Sequence, residues 1–131
     1  MIENRITEKI IGAAIEVHRT LGGPGLLESV YEEALVWEMQ QRGLVVERQI
    51  YTPVVYKGQT LATPLRVDLL VEKQIVVENK ATTQYNLIFE AQTLTYLRLL
   101  NLRIGLVINF GDRYVKKGIH RVINPNYRPA S

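Results

Sequence analysis

The spacing of apolar positions changes twice along this chain, and each change marks a new kind of element. From Ile6 to about Leu21, the residues Ile6, Ile10, Ala13, Ala14 and Val17 recur at helical spacing. The cluster Gly22-Gly23-Pro24-Gly25 ends that helix, because glycine frees the backbone and Pro24 cannot continue the hydrogen bonding. A second helix is predicted from about Leu27 to Arg42, with Gly43 as its C-terminal cap. Beyond Gly43 the period becomes extended. Val45 to Tyr56 is rich in β-branched and aromatic residues and ends at a turn, Tyr56-Lys57-Gly58-Gln59. Leu65–Glu72 and Ile75–Ala81 read as two strands of a hairpin joined through Lys73-Gln74. A helix follows from about Leu87 to Leu100, with Leu87, Ala91, Leu94 and Leu97 on one side. Arg103–Asn109 is a nearly continuous apolar strand of the kind buried inside a sheet, and a short strand follows around Ile119–Ile123. The order α-α-β-β-β-α-β-β predicts an α+β fold, a mixed sheet with helices packed against it.

At 131 residues the chain has room for one domain, expected to span 1–131. Its apolar fraction of 47% and charged fraction of 22% are those of an ordinary globular protein. No apolar run approaches the roughly 18–20 residues needed to span a membrane, so no membrane partner is expected. The polar start argues against a secretory signal. With no cysteine, disulfides, thiol nucleophiles and Cys-ligated zinc are excluded. A cytoplasmic protein is the expectation. The net charge of +3 is compatible with a polyanionic partner without demanding one. Arg113, Lys116, Lys117, His120, Arg121 and Arg128 gather near the C-terminal end, where they read as a solvated basic surface or as a phosphate-binding patch.

Strand alternation puts Glu78 and Lys80 on one face and Ile75, Val77 and Asn79 on the other. Arg66, Asp68 and Leu70 share a face of the preceding strand, so a hairpin can bring Asp68 beside Glu78. Two carboxylates and an ammonium among apolar neighbours suit Mg²⁺, which takes oxygen ligands and keeps several waters. Lys80 would then stabilise transition-state charge or help position the attacking water. Glu78-x-Lys80 alone reads first as a solvated cross-strand salt bridge; the acid ten residues upstream, the apolar flanks and the helix that follows are what bring the site reading level with it. Glu28 and Tyr31, three apart on the second helix, are expected to face the same way, although a first-turn carboxylate also serves the helix dipole. Gln92 and Tyr96, four apart, share a face of the third helix and could orient phosphate or water; an exposed Gln with a half-buried Tyr is the plainer alternative.

Other chemistries find little support. The only serines are Ser29 and Ser131, and His18 and His120 fit no triad. His18 reads as a surface or capping-side histidine. The glycine cluster lacks the Lys-Ser/Thr of a phosphate-cradling loop.

The segment Gly25-Leu26-Leu27-Glu28-Ser29-Val30-Tyr31 resembles the motif that names the GxxExxY proteins, a branch of the PD-(D/E)XK nuclease superfamily. The likeness continues through Ile11–His18, Arg66-Val67-Asp68, Val77-Glu78-Asn79-Lys80-Ala81, Ala91–Arg98 and Gly105–Phe110, and covers roughly residues 6–124. The resemblance implies a restriction-endonuclease-like core and a Mg²⁺-dependent nuclease acting on DNA or RNA, with Mn²⁺ as a substitute ion. It implies that Asp68 and Glu78 bind the metal, that Glu28 is a further acidic member of the site, and that Lys80 is the superfamily lysine. Gln92 and Tyr96 would complete the site. The alternative is a nucleic-acid-binding or assembly module on the same fold that cuts little or nothing. So short a chain, if active, is expected to draw on a partner or a homodimer for duplex recognition. Val67 replaces the proline of the superfamily name, and an extra glycine enlarges the Gly22–Gly25 break. Phe89 stands where these proteins often carry His, and Asn79 where Leu is usual. A buried unpaired amide costs about 1–3 kcal/mol, so Asn79 should find a hydrogen-bond partner or face another subunit.

Overall fold

The computed structural model describes residues 2–130; Met1 and Ser131, the two ends of the expected domain, lie outside the described residues. The first helix, α1, spans Ile2–Thr20, and the second, α2, spans Glu28–Gln41. Strand β1 covers Val46–Thr52, followed by β2 (Val55–Tyr56) and β3 (Gln59–Thr60). Then come β4 (Leu65–Val71), β5 (Ile75–Lys80), α3 (Ile88–Leu100), β6 (Ile104–Asn109), a 3₁₀ turn (Val115–Gly118) and β7 (Ile119–Ile123). The α+β order read from the sequence is present, with one change. The strand predicted to reach Tyr56 stops at Thr52, before Pro53, which has no N–H to give to a ladder. The remainder folds back as the small β2–β3 hairpin about Lys57 and Gly58, both at positive φ.

β1-β4-β5-β6-β7 form one five-stranded sheet, in which only β5 and β6 run parallel. That parallel pair requires a crossover, which α3 supplies. α1 and α2 cover one face of the sheet: Ile10, Ala14, Val17, Leu35 and Met39 pack on Leu69, Ile75, Val77, Leu106 and Ile108. α3 covers the other face, where Leu97 meets Val76, Val107 and Val122. Of the predicted stripe, Leu97 is buried and Leu94 half-buried against the core, but Leu87 is 75% exposed and Ala91 exposed; the first half of the helix buries Thr93 instead. Gly105 explains the choice. A Cβ there would sit 2.8 Å from the Thr93 methyl, so the bare glycine admits the helix along that line.

Gly43 takes φ +81° just past α2, where Leu44 N–H bonds Met39 O and Gly43 N–H bonds Gln40 O, the predicted glycine cap. At the helix's other end, Tyr31 is fully buried and stacks on Phe110 at 4.8 Å between ring centroids, with His18 tilted beside both. The Tyr31 hydroxyl donates to Gly23 O at 2.6 Å and accepts from Leu26 N–H at 3.2 Å. His18 is therefore not the surface residue expected: it is 5% exposed, with Nε2 3.1 Å from Phe110 O. Nor do Tyr31 and Glu28 face the same way, since Glu28 is exposed and Tyr31 anchors the glycine-rich break to the core.

Tyr31→Phe keeps the stack and removes the hydroxyl, leaving Gly23 O and Leu26 N–H without it. Urea unfolding should show a loss of about 1–2 kcal/mol with an unchanged denaturant slope.

Candidate functional site

The register of the β4–β5 hairpin is Val71↔Ile75, Leu70↔Val76 and Leu69↔Val77, tied by a turn at Glu72 and Lys73. The next pair in that register would be Asp68 and Glu78, but the ladder stops before it. From there β5 stays with β6 as far as Lys80↔Asn109, while β4 stays with β1. The opening exposes two backbone N–H groups, and the acidic side chains take them. Glu78 Oε2 accepts from Asp68 N–H at 2.8 Å, and Asp68 Oδ2 accepts from Asn79 N–H at 2.9 Å. The two carboxyl groups therefore lie side by side, each 6% exposed, each with one oxygen committed to the backbone. Their other oxygens take no protein hydrogen bond, and neither residue joins an ion pair among the described residues.

Electrostatics follow from that crowding. Burial, with the charge of Asp68 next, pushes the Glu78 carboxyl up to about 8, against the weaker pull of the Asp68 N–H and Lys80. Burial also raises Asp68, opposed first by its hydrogen bond from Asn79 and reinforced by Glu32. Glu28 opens α2 in the neighbouring wall; partial desolvation and then the Asp68 charge raise its carboxyl too. Two acids in one buried site resist ionising together, and a cation placed between them would relieve both. The donor set is all oxygen and only two buried carboxylates deep, with no group of three His, Cys, Asp or Glu poised to cage a metal among the described residues. That fits Mg²⁺ or Mn²⁺, which complete their shells with water and substrate oxygens, and not a closed structural site.

Lys80 and Asn79 obey the alternation. Lys80 is half-buried on the α3 side, its ammonium 4.6 Å from the centre of the Phe89 ring. Asn79 is fully buried on the α2 side, where its Nδ2 reaches Glu32 Oε1 at 3.4 Å. The predicted partner for this amide thus exists for its N–H, while its Oδ1 has none. Tyr96 is half-buried, and its phenol is raised by burial and then by the charges of Glu78 and Asp68, which marks it as a neighbour of the pair. Gln92, one turn earlier, is exposed and makes no side-chain hydrogen bond among the described residues. The structure thus gathers Asp68, Glu78, Lys80, Glu28 and Tyr96, and leaves Gln92 at the margin.

A cleft of about 690 Å³ opens over Asp68, lined also by Glu28, Glu32, Arg48, Gln49, Tyr51 and Arg66. Among the members that the sequence did not single out as site residues are Glu32 and Arg66. Glu32 is 5% exposed and accepts from Arg48 (3.1 Å), from Gln49 Nε2 (2.9 Å) and from Asn79, pinning α2 to β1 and β5, the strands on either side of β4. Its signal was its place four residues after Glu28, one helical turn along the same wall. Arg66 was signalled by alternation, two residues before Asp68. Its charge is felt at Glu28, Asp68 and Tyr96. The C-terminal cations do not form the single patch considered from sequence. On β7 the alternation sends His120 to stack on Tyr85 at 4.1 Å and Arg121 to the opposite face, against Asn4 and Thr7. Arg113 and Lys116 line a separate hollow of about 420 Å³ beside His18.

The raised Glu78 pKa has a consequence for stability. A carboxyl ordinarily near 4.5 and pushed up to about 8 binds its proton more tightly in the folded state. Its contribution is fully present below about pH 4.5 and is lost as pH rises through about 8. In EDTA, the melting temperature should therefore fall between about pH 5 and 8 on this group's account. Glu78→Gln, neutral throughout, should flatten that fall, which reflects on the order of a few kcal/mol. Thermal scans of both proteins across the pH series provide the check.

The chain matches the PD-(D/E)XK nuclease superfamily over residues 4–122, a span that contains both N-terminal helices, the carboxylate hairpin and the crossover helix. Among solved structures, one titled "Crystal structure of SSO0001" is 15% identical with a TM-score of 0.47, covering 92% of this chain and 78% of that one. No curated protein matches. No helix among the described residues is long and apolar enough to cross a membrane. The family match covers most of the sequence, including every residue gathered around Asp68 and Glu78: the chain belongs to the PD-(D/E)XK nuclease superfamily.

Proposed function

We propose that this protein is a Mg²⁺-dependent nuclease, hydrolysing phosphodiester bonds of DNA or RNA, with Mn²⁺ able to replace Mg²⁺. Membership of a nuclease superfamily whose enzymes generally use divalent metals supports a nuclease and hence a nucleic-acid substrate. One observation carries the reading further: Asp68 and Glu78 lie together, buried, in no ion pair among the described residues, and raised in pKa. On this reading Asp68 and Glu78 hold the cation, and Glu28 adds a third acidic group from the start of α2. The bound ion would polarise the scissile phosphate and lower the pKa of a water.

The remaining roles fall to the chain's own side chains. Glu78 carries a proton near neutral pH in the metal-free protein and gives it up when a cation is bound. On this reading the Lys80 ammonium, held over Phe89, supplies positive charge to the phosphoryl oxygens as their negative charge grows. Tyr96 keeps its phenolic proton and donates it as a hydrogen bond, and Gln92 offers its amide to the phosphate from the exposed side of α3. The motif Gly25-Leu26-Leu27-Glu28-Ser29-Val30-Tyr31 supports assigning the chain, as part of the same proposal, to the GxxExxY branch of the superfamily. One nuclease-like domain, a cytoplasmic setting and a second copy to help grip duplexes belong to the same proposal.

A second reading, a nucleic-acid-binding or assembly module that cuts little, draws on the same Glu78. A carboxyl that holds its proton to about pH 8 grips a cation less firmly at neutral pH. A cleavage assay on labelled single- and double-stranded DNA and RNA, titrated with Mg²⁺ and Mn²⁺ against EDTA, separates the two. The expected result is cation-dependent cutting that falls at least about 100-fold in Glu78→Ala and in Lys80→Ala, each still folded by circular dichroism. Salt-sensitive binding with no cutting of any strand type would hand the protein to the second reading.

A further inference from the structure

The wall of the cleft formed by β1 and β4 carries side chains that neither the core nor the carboxylate pair uses. β1 is the outer strand of the sheet, and its Tyr51 lies directly opposite Arg66 of β4, so the two side chains stand on one face. Both line the cleft that contains Asp68. Tyr51 is 65% exposed. Arg66 is exposed and joins no ion pair among the described residues. Arg48 lines the same wall, anchored at its far end to Glu32 at 3.1 Å. Past Pro53, next along the chain from Tyr51 but outside the residues that line the cleft, the β2–β3 hairpin carries Tyr56, 58% exposed, with the Lys57 ammonium 5.4 Å from its ring.

Large aromatic rings left in water, interleaved with cations and leading to a pair of acids, have a specific complement. Cations on such a wall track a phosphate backbone, and exposed rings stack on bases. A duplex could offer phosphates to Arg66 and Arg48, but its base faces are hidden in its own stack, leaving Tyr51 and Tyr56 without partners. A single strand offers both. We infer that the Tyr51–Arg66–Arg48 wall and the β2–β3 hairpin form a track for single-stranded polynucleotide. Bases stack on Tyr51 and Tyr56, and the backbone passes Lys57 and Arg66 on its way to Asp68 and Glu78. The inference rests on the nuclease reading for what happens at the end of the track, and on the surface alone for binding.

The test measures binding by the full chain with cutting suppressed. Fluorescence anisotropy in EDTA compares labelled oligonucleotides of roughly 12 nucleotides as single-stranded DNA, single-stranded RNA and duplex DNA. Single strands should bind at least about tenfold more tightly than the duplex. Tyr51→Ala and Tyr56→Ala should each weaken single-strand binding about five- to tenfold with little change for duplex, and Tyr51→Phe, which keeps the ring, should restore it. Arg66→Ala should shallow the salt dependence by about one phosphate contact. The DNA and RNA arms show which sugar the track accepts. Duplex binding as tight as single-strand binding, or tyrosine variants that fold and bind single strands undiminished, would overturn the track. Cleavage of the same oligonucleotides in Mg²⁺ keeps the two proposals apart. Tyrosine-dependent binding with no cutting sinks the nuclease and supports the track; single-strand cutting indifferent to both Tyr51→Ala and Tyr56→Ala sinks the track and leaves the nuclease.

Discussion

Everything at this site depends on the parting of β4 from β5 after Leu69 and Val77. A hairpin zipped to its end would satisfy its own N–H groups and send Asp68 and Glu78 into an ordinary cross-strand pair of like charges, which is unfavourable. Because the strands diverge, Asp68 N–H and Asn79 N–H need acceptors, and the nearest are the two carboxylates themselves. Buried N–H groups left unpaired would cost about as much as lost hydrogen bonds. The backbone thus fixes both acids in place through one oxygen each, and burial leaves them poorly solvated. The raised proton affinities of Glu78 and Asp68 express the same unfinished electrostatics.

α2 ties that opening to the rest of the molecule and shows why one helix need not be amphipathic in the simple sense. Tyr31, Leu35 and Met39 enter the core, while Glu28 and Glu32 line the cleft one turn apart. Glu32 is the joint between them. It gathers Arg48 and Gln49 from β1 and Asn79 from β5, which are the strands on either side of β4. The Tyr31 hydroxyl, bridging Gly23 and Leu26, sets where the helix begins and hence where Glu28 stands. The tyrosine and the glutamate of one short motif therefore act from opposite sides of the helix wall, one inside and one at the cleft.

Period-two alternation needs only the pleat of a strand. It put Glu78 and Lys80 on one face and Asn79 on the other, which the structure turns toward α3 and α2 respectively, and the hairpin set Asp68 next to Glu78. Helical spacing was less decisive in α3, where two stripes three or four residues apart are both apolar. The packing partner chose between them, because Gly105 admits Thr93 and the predicted Leu87 and Ala91 are left outside. His18 has no local pattern that reveals its surroundings, and spacing marks only the wall on which Glu32 and Arg66 sit, not what they meet there. The acceptor of the histidine, Phe110 O, is far along the chain, as are the donors to Glu32 on β1 and β5.

The sequence by itself determined the element order, the mixed α+β class, the glycine cap after α2 and the face taken by each charged residue of β5, since these follow from torsional preference and strand or helix period. Tertiary structure alone decided where the β4–β5 ladder opens, which side of α3 is buried, that the C-terminal cations divide between two faces, and that Glu32 joins the site. Those outcomes depend on distances between segments remote in sequence, and on the burial and charge that arise only when the segments meet.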